Sequence, residues 1–199
     1  MAGWADGQQY ERRTFARLTL PPGRLAGAAF VECTFERCTL AGCELYRCVF
    51  TTCTFRNCDL SVAKVPNSRF MGVRFVGCRL SGIDWTKLGD SDLSRLVTVL
   101  DFEECLLDYG SLFGLNLHGR AMTKCSAREV DLRDADVSGA DLGGTDFSGA
   151  LFHHTNLTGA NLVGASNYEI DPRANTVSKA RFSLPEAVSL LRGFDIVIE

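Results

Sequence analysis

The chain has 199 residues, of which 46% are hydrophobic and 23% charged, a composition that supports a packed core and excludes wholesale disorder. The formal net charge of −3 argues against direct binding of nucleic acid. The sequence lacks both a run of about 18 apolar residues and the basic start and apolar stretch of a signal peptide. We therefore expect a cytoplasmic protein of one domain or one long repeat array, without a membrane span.

Apolar residues recur at every fifth position in two blocks, 25–85 and 102–162. The first block begins Leu25, Phe30, Phe35, and the second begins Phe102, Leu107, Leu112. Two residues before each of these positions lies a smaller side chain, and six successive units use cysteine: Cys33, Cys38, Cys43, Cys48, Cys53 and Cys58. Residues two apart in an extended chain point to the same side, so each unit directs one large and one small residue inward.

A period of five fits neither a helix nor a simple strand. It predicts a short extended piece followed by a turn, repeated so that the chain coils around an apolar axis and pairs with itself in parallel. The nine cysteines are then small buried residues that stay reduced, and those 20 apart stack if one coil takes four units. Metal binding and redox chemistry are the alternatives for these cysteines.

The segments ADVSGADLGGTDFSGALF and TNLTGANLVGA resemble the A(D/N)Lxx motif of pentapeptide repeat proteins, and the resemblance covers about residues 15–165. It implies an all-β fold, a right-handed quadrilateral β-helix of about seven coils. We expect the β-helix to occupy 1–166 and a capping and dimerisation segment to occupy 167–199.

The tail is similar to that of the topoisomerase-protection branch of this family, the Qnr, MfpA and AlbG type. The stretches NYEID and FSLPEAVSLL are most similar to the albicidin-resistance protein AlbG. The resemblance implies a homodimeric DNA mimic that binds either subunit of DNA gyrase, and topoisomerase IV, and protects them from albicidin, cystobactamid or quinolones. The alternative is a structural or adaptor repeat protein with a different partner.

Within the tail, Ser183 and Glu186 form a capping-box pattern, followed by an apolar stripe, and these features predict a short C-terminal helix that ends at Gly193. Residues 194–198 alternate as in a short strand. The open end of a β-helix needs a cover, so this segment is either a monomeric cap or a dimer interface. The residues expected at that interface are Phe182, Leu184, Val188, Leu191, Phe194 and Ile196.

The two blocks differ in register, because Trp85 and Phe102 are 17 residues apart. We expect a loop near 86–96, either a tolerated insertion or a contact with gyrase. The residues of this candidate contact are Gly89, Asp90, Ser91, Asp92, Leu93 and Arg95. Residues 61–69, with Pro66, keep the register and predict a distorted coil. Arg120 falls at an inner position, so either the coil deforms or the side chain turns outward.

Charge is uneven along the chain. Residues 1–99 hold 13 Lys and Arg against 9 Asp and Glu, whereas residues 100–199 hold 8 against 15. The acidic residues expected to contact a partner are Asp101, Glu103, Glu104, Asp108, Glu129, Asp131, Asp136, Asp141 and Asp146. Aspartate before the central residue of a unit also has a simpler explanation, because it stabilises turns.

Catalytic constellations are absent from the sequence. The three histidines, His118, His153 and His154, lack neighbours that suggest a triad, and the glycines belong to the repeat. We expect no enzyme activity, no cofactor and no metal.

Overall fold

The five-residue period winds the chain into a parallel β-solenoid, as predicted, with about eight turns in place of the expected seven. The computed structural model describes residues 4–89, 99–194 and 196. Each coil takes 20 residues, so Phe15 pairs with Phe35 and Phe35 with Phe55. The solenoid form follows because one coil alone cannot bury its apolar residues, whereas stacked coils share a continuous core.

The strands are short because each pentapeptide supplies only three extended residues before its turn. Their bounds are β1 Gln9–Glu11, β2 Thr14–Ala16, β3 Arg24–Ala26, β4 Ala29–Val31, β5 Thr34–Glu36, β6 Glu44–Tyr46, β7 Val49–Thr51, β8 Thr54–Arg56, β9 Arg69–Met71, β10 Val73–Val76, β11 Leu100–Glu103, β12 Met122–Thr123, β13 Asn161–Leu162 and β14 Arg181–Phe182. Two 3-10 helices span Trp85–Lys87 and Glu186–Phe194.

All strand pairing is parallel, in sheets ordered β1-β4-β7-β9, β12-β11-β10-β8-β5-β2, β13-β14 and β3-β6. Four faces result, each named here by its central residues. The first face contains Tyr10, Phe30, Phe50, Phe70, Leu117, Val137, Leu157 and Val177. The second contains Phe15, Phe35, Phe55, Phe75, Phe102, Met122, Leu142, Leu162 and Phe182. The third contains Leu20, Leu40, Leu60, Leu80, Leu107, Ala127 and Phe147, and the fourth Leu25, Leu45, Val65, Trp85, Leu112, Leu132 and Phe152.

Stacked aromatic rings fill the N-terminal half of the core. The ring centroids of Phe35 and Phe55 lie 4.3 Å apart and those of Phe50 and Phe70 lie 4.6 Å apart, in near-parallel arrangements. Trp4 packs edge-on against Phe35 and covers the N-terminal end of this stack. The core therefore continues from coil to coil without a break between the two sequence blocks.

The inner cysteines are buried, as the sequence predicted. They also join neighbouring coils through hydrogen bonds. The Cys38 N–H donates to the Cys58 sulfur (3.3 Å), and that sulfur donates to the Phe35 carbonyl (3.4 Å). Ser68 and Thr145 occupy equivalent positions and make the same pair of bonds with oxygen. The inner small position thus favours residues that are both small and able to hydrogen-bond.

The insertion between the two blocks begins later than expected. Phe75 pairs with Phe102, 27 residues further on, whereas the other coils use 20. Thr86 and Lys87 lie in the first 3-10 helix, Leu88 is fully buried, and the Gly89 N–H donates to the Ser68 carbonyl. The extra residues therefore fall within 90–98, which lies outside the described residues.

The coil that contains Pro66 keeps its register, with Val65, Ser68 and Phe70 buried. Its distortion appears on the fourth face, where bridges join Glu44 to Lys64 and Asp84 to Ser111. No bridge joins Lys64 to Asp84 in the described part of the chain, and a groove of about 670 Å³ opens there. The Asn67 N–H donates to the Lys87 carbonyl, because the 3-10 turn that starts at Trp85 displaces the backbone at this point. This displacement explains why the groove opens on the fourth face.

Parallel pairing continues beyond the expected boundary at 166. Asn156 bridges to Thr176, and β13 pairs with β14 through Leu162 and Phe182. The reason is that Val177 and Phe182 still supply inward apolar residues after the A(D/N)Lxx motif has faded. The expected short helix of the tail is a 3-10 helix, and it runs one residue past Gly193. Phe194 therefore belongs to this helix and not to the expected strand at 194–198, of which 195, 197 and 198 lie outside the described residues. The Ser183 hydroxyl accepts a hydrogen bond from the Gly164 N–H, so it holds the last coil and is not committed to a capping box.

Candidate partner-binding surface

The expected contact loop lies in the chain between Trp85 and Phe102. Gly89 is its last described residue, and it has a positive φ of 73°. Asp90, Ser91, Asp92, Leu93 and Arg95 lie outside the described residues. The chain returns at Val99, whose N–H donates to the Phe70 carbonyl. The described residues on both sides of 90–98 therefore keep their backbone hydrogen bonds to the preceding coil.

The nine expected acidic residues are distributed over all four faces of the C-terminal half. The second face and its corner carry Asp101, Glu103, Glu104 and Asp141; the third carries Asp108, Glu129 and Asp146; the fourth carries Asp131 and the first Asp136. They surround the solenoid and do not form one stripe. A flat partner surface would thus meet only some of them at a time.

Aspartates before a central residue stabilise their own turn, as the simpler explanation predicted. Asp131 accepts a hydrogen bond from the Arg133 N–H (3.1 Å), Asp136 from the Ser138 N–H (3.0 Å) and Asp141 from the Gly143 N–H (3.1 Å). Asp146 makes the equivalent bond to Ser148 (3.1 Å). These carboxylates therefore serve the fold whether or not they also meet a partner.

Arginine and lysine side chains neutralise several of the acids. Arg128 lies 2.7 Å from Asp146 and Arg133 lies 2.8 Å from Asp131. Glu103 pairs with Arg74 of the preceding coil. Longer contacts join Asp101 to Arg120 (3.9 Å) and Glu104 to Lys124 (3.8 Å). Such exposed pairs contribute little to stability, but they reduce the negative potential that a partner would meet.

Asp146 is the most tightly held of these carboxylates. Partial burial alone raises its pKa, but hydrogen bonds from Asn167, Ser148 and Arg128 outweigh that effect and hold the pKa well below its usual range. Asp146 is therefore ionised and fully engaged within the fold. Among the nine acids it is a poor candidate for a partner contact.

The Arg120 side chain turns outward, which settles the choice that the sequence left open. It is about one third exposed, its Nε donates to the His118 carbonyl (3.2 Å), and it approaches Asp101. A small apolar cavity of about 10 Å³ remains beside it, between Phe102 and Leu142. That space is at the lower limit for one water molecule, so the coil needs no larger deformation.

The C-terminal end exposes apolar side chains. Leu184 is 80% exposed, Phe194 48% and Ile196 52%, and Val188 and Leu191 are exposed as well. Phe182, also expected at this interface, is half-buried and packs against Tyr168 (5.7 Å between ring centroids), so it belongs mainly to the last coil. Leu190 packs on the core from the other side of the helix. The helix thus covers the solenoid with one side and presents an apolar side outward.

The histidines make local contacts. His118 Nδ1 lies 2.8 Å from the Ser138 hydroxyl, and His154 Nδ1 lies 3.4 Å from Asp134. No group of His, Cys, Asp and Glu suited to a metal ion occurs among residues 4–89, 99–194 and 196. Within the same ranges no helix is long and apolar enough to cross a membrane.

Two exposed sets of side chains have no counterpart among the sequence predictions. Leu106, Tyr109 and Phe113 project from one coil in the middle of the rod, and Tyr109 is 70% exposed. Several arginines of the N-terminal coils, Arg17 and Arg37 among them, are exposed and form no ion pair within the described ranges. The net charge of +4 in residues 1–99 could have indicated an excess of arginines in these coils. A charge count does not show which arginines form ion pairs.

Comparison with known proteins identifies the repeats. A family model for a pentapeptide repeat region matches residues 28–109, and a model of eight pentapeptide repeats matches residues 111–149 and 131–166. No curated protein sequence matches the chain significantly.

Two solved structures share the fold. One is a trypsin-treated variant of QnrB1, a plasmid-mediated fluoroquinolone resistance protein (TM-score 0.54, 22% identity, 98% of this chain and 93% of that chain covered). The other is HetL, a pentapeptide repeat protein involved in heterocyst differentiation regulation from the cyanobacterium Nostoc sp. strain PCC 7120 (TM-score 0.51, 19% identity, 89% and 87% covered). At these identities the likeness establishes the fold alone.

The repeat models together span most of residues 28–166, and the observed solenoid has their 20-residue coil. The chain therefore belongs to the pentapeptide repeat proteins.

Proposed function

We propose that this protein is an antibiotic resistance factor that binds DNA gyrase, and topoisomerase IV as a second target, at the place where DNA would lie. It would thereby protect the enzyme from poisons such as albicidin, cystobactamid or a quinolone. The mechanism is competition for, or remodelling of, the poisoned complex, without chemistry on the drug. The shared fold with QnrB1 supports a resistance role, and the similarity of the tail to AlbG makes albicidin the first drug to test.

The observation that carries the proposal is the combination of charge asymmetry with an uncovered apolar end. Residues 100–199 hold 15 acidic against 8 basic residues, and the exposed apolar side chains lie at the C-terminal end of the same half. Two copies joined there would form one rod whose middle is acidic on every face. A surface built to hold DNA phosphates attracts such a rod electrostatically.

Dimerisation through the tail is part of the proposal. Leu184, Val188, Leu191, Phe194 and Ile196 are all exposed in the single chain, and each would be shielded from solvent in a symmetric pair. At about 4.8 Å per coil, eight coils give each protomer a length of roughly 38 Å. The dimer would then be a rod of roughly twice that length.

The insertion between Trp85 and Phe102 supplies a second proposed contact with gyrase, through Gly89, Asp90, Ser91, Asp92, Leu93 and Arg95. Because Gly89 and Val99 each keep a backbone hydrogen bond to the preceding coil, we expect that the insertion can be shortened without disturbing the coils on either side. Deleting residues 90–96 should therefore leave the fold intact while weakening protection.

A gyrase supercoiling and DNA-cleavage assay with albicidin, and then with a fluoroquinolone, tests the proposal. We expect that titrating the protein restores supercoiling and reduces trapped breaks, with an unchanged drug mass after incubation. If neither drug is countered at any protein concentration and unpoisoned gyrase is also unaffected, the topoisomerase role is wrong. The adaptor role with a different partner would then replace it.

A further inference from the structure

We propose that the N-terminal coils carry a surface that binds the phosphate backbone of double-stranded DNA directly, independently of any topoisomerase. This arginine–threonine surface covers the second face, its corner and the adjoining edge of the third face. It consists of Arg17, Arg37, Arg56 and Arg79 with Thr14, Thr34, Thr54, Thr19 and Thr39.

The solenoid register brings the arginines together. Ala16, Glu36 and Arg56 occupy one row on successive coils. In the next row, the Arg17 N–H donates to the Glu36 carbonyl (2.8 Å) and the Arg37 N–H donates to the Arg56 carbonyl (2.9 Å). These arginines therefore lie on adjacent coils, about 4.8 Å apart along the rod. Arg79 extends the set by bridging to Asp59 on the third face.

These four guanidinium groups are exposed and lack carboxylate partners among the described residues, in contrast to other arginines of the chain. Arg12 pairs with Glu32 at 2.8 Å, and Arg128 and Arg133 pair with aspartates at similar distances. Free guanidinium groups on a rigid scaffold are well suited to phosphate oxygens, which they can bind with two parallel hydrogen bonds.

Threonine hydroxyls flank the arginines on both sides. Thr14, Thr34 and Thr54 form one ladder on the second face, and Thr19 and Thr39 form another on the third. Hydroxyl groups of this kind supply neutral hydrogen bonds to phosphate oxygens in protein–DNA interfaces. The rows contain no aromatic side chain on which an unpaired base could stack, which favours a duplex over a single strand.

Two acidic groups oppose binding. Glu36 lies exposed between Arg17 and Arg56, and Asp59 adjoins Arg79. The net −3 charge of the chain also weakens attraction at a distance. We therefore expect binding that is modest and strongly dependent on salt. Replacing Glu36 by Gln should strengthen it.

Fluorescence anisotropy with a labelled 20-base-pair duplex tests the proposal on the full chain. We expect binding at low salt that weakens as salt rises, and a triple variant Arg17→Gln, Arg37→Gln, Arg56→Gln that binds about tenfold more weakly. The slope of log affinity against log salt should become shallower by about 0.9 for each phosphate that an arginine no longer neutralises.

The matched control, Arg128→Gln, Arg133→Gln, Arg173→Gln, removes the same charge from paired arginines and should bind nearly as well as the wild type. Circular dichroism confirms that both variants are folded. The proposal is overturned if the wild type does not bind the duplex, or if both triple variants weaken equally. It is also overturned if polyglutamate binds as tightly as DNA, since an acidic protein would then be the better partner. None of these results bears on gyrase protection, which is measured separately.

Discussion

At the residue scale, the corner that follows each central residue is the most demanding position in the coil. It takes a positive φ in nearly every unit, and glycine fills it through much of the C-terminal half. The N-terminal half instead places larger residues there, among them Arg37, Thr52 and Val62. Val62 and Thr52 are the least suited, because β-branched residues are rarely found at a φ of 51° or 53°.

Replacing Val62 by Gly should therefore stabilise the protein. The left-handed conformation costs a non-glycine residue about 1–2 kcal/mol, and the extra freedom of glycine in the unfolded chain offsets part of that gain. Val62 is 59% exposed, so the substitution removes little packing. We expect a rise of about 0.5–1 kcal/mol in the free energy of unfolding, measured by urea denaturation.

Gly82 occupies the same corner as Val62 in the next coil, where it stacks on Val62. It is the matched control, because here glycine is the native residue. Its φ is +72°, and an added Cβ would lie 3.0 Å from Val62 Cγ1. Gly82→Ala should destabilise the protein in the same assay. Equal effects of the two substitutions, or destabilisation by Val62→Gly, would show that the corner is not strained.

The Asp146 carboxylate gives a prediction for pH. Its pKa is lowered in the folded state, so its contribution to stability is present above the unfolded value near 3.9 and is lost as the pH falls below it. Asp146→Asn should lower the urea midpoint most at pH 7 and by a smaller amount near pH 2.5, because the contribution declines between the unfolded pKa and the lower folded pKa. Asp141→Asn is the control, since Asp141 contacts Gly143 and Asn161 but forms no ion pair in the described part of the chain. A pH-independent effect of Asp146→Asn would contradict the assignment.

At the element scale, the inner cysteines of the third face form a column of hydrogen-bonded links between coils. The column consists of Cys38, Cys58, Cys78, Cys105 and Cys125. Burial and sulfur contacts raise the pKa of Cys58 to about 11 and the pKa of Cys78 and Cys105 to about 12. A hydrogen bond with Cys105 lowers the pKa of Cys125, which lies at the end of the column and is 4% exposed. The column should therefore be inert to thiol reagents except at its C-terminal end.

Alkylation with iodoacetamide at pH 8, followed by peptide mass spectrometry, tests this expectation. Cys125 should be labelled first in the native protein, and all nine cysteines should be labelled in urea. Native labelling of Cys58 or Cys78 before Cys125 would contradict the arrangement. A Cys125→Ser variant should leave the remaining cysteines of this column essentially unlabelled in the native protein.

Sequence periodicity was sufficient to predict the coil and its inner residues, because a single repeated spacing fixes which side chains point inward. It failed where a position is defined by contacts between coils. Leu88 is buried although the broken register placed it in a loop, and Phe182 completes a coil although the repeat motif has ended. The spread of Asp131, Asp136, Asp141 and Asp146 over four faces follows from spacing, but the pairing of two of them with arginines depends on the folded chain and required the structure.

At the scale of the whole molecule, the uncovered C-terminal end predicts the oligomeric state. Leu184→Glu with Leu191→Glu would place four charges in the proposed dimer interface, two from each copy, at the cost of several kcal/mol if that interface is dry. We expect the wild type to be a dimer and this variant a folded monomer by light scattering. Leu151→Glu, at a 48% exposed position outside the tail, should remain dimeric. A monomeric wild type would contradict the proposed rod.

The central claim is that this rod occupies the DNA-binding surface of gyrase. The most direct test is a binding measurement between drug-free gyrase and the Arg17→Gln, Arg37→Gln, Arg56→Gln variant, from which the proposed duplex-binding arginines have been removed, repeated with increasing amounts of a long duplex. Mutually exclusive binding is predicted, so the duplex should displace the protein completely, and the monomeric tail variant should bind gyrase more weakly. Binding that persists unchanged at saturating DNA, or no binding to gyrase at all, would contradict the account.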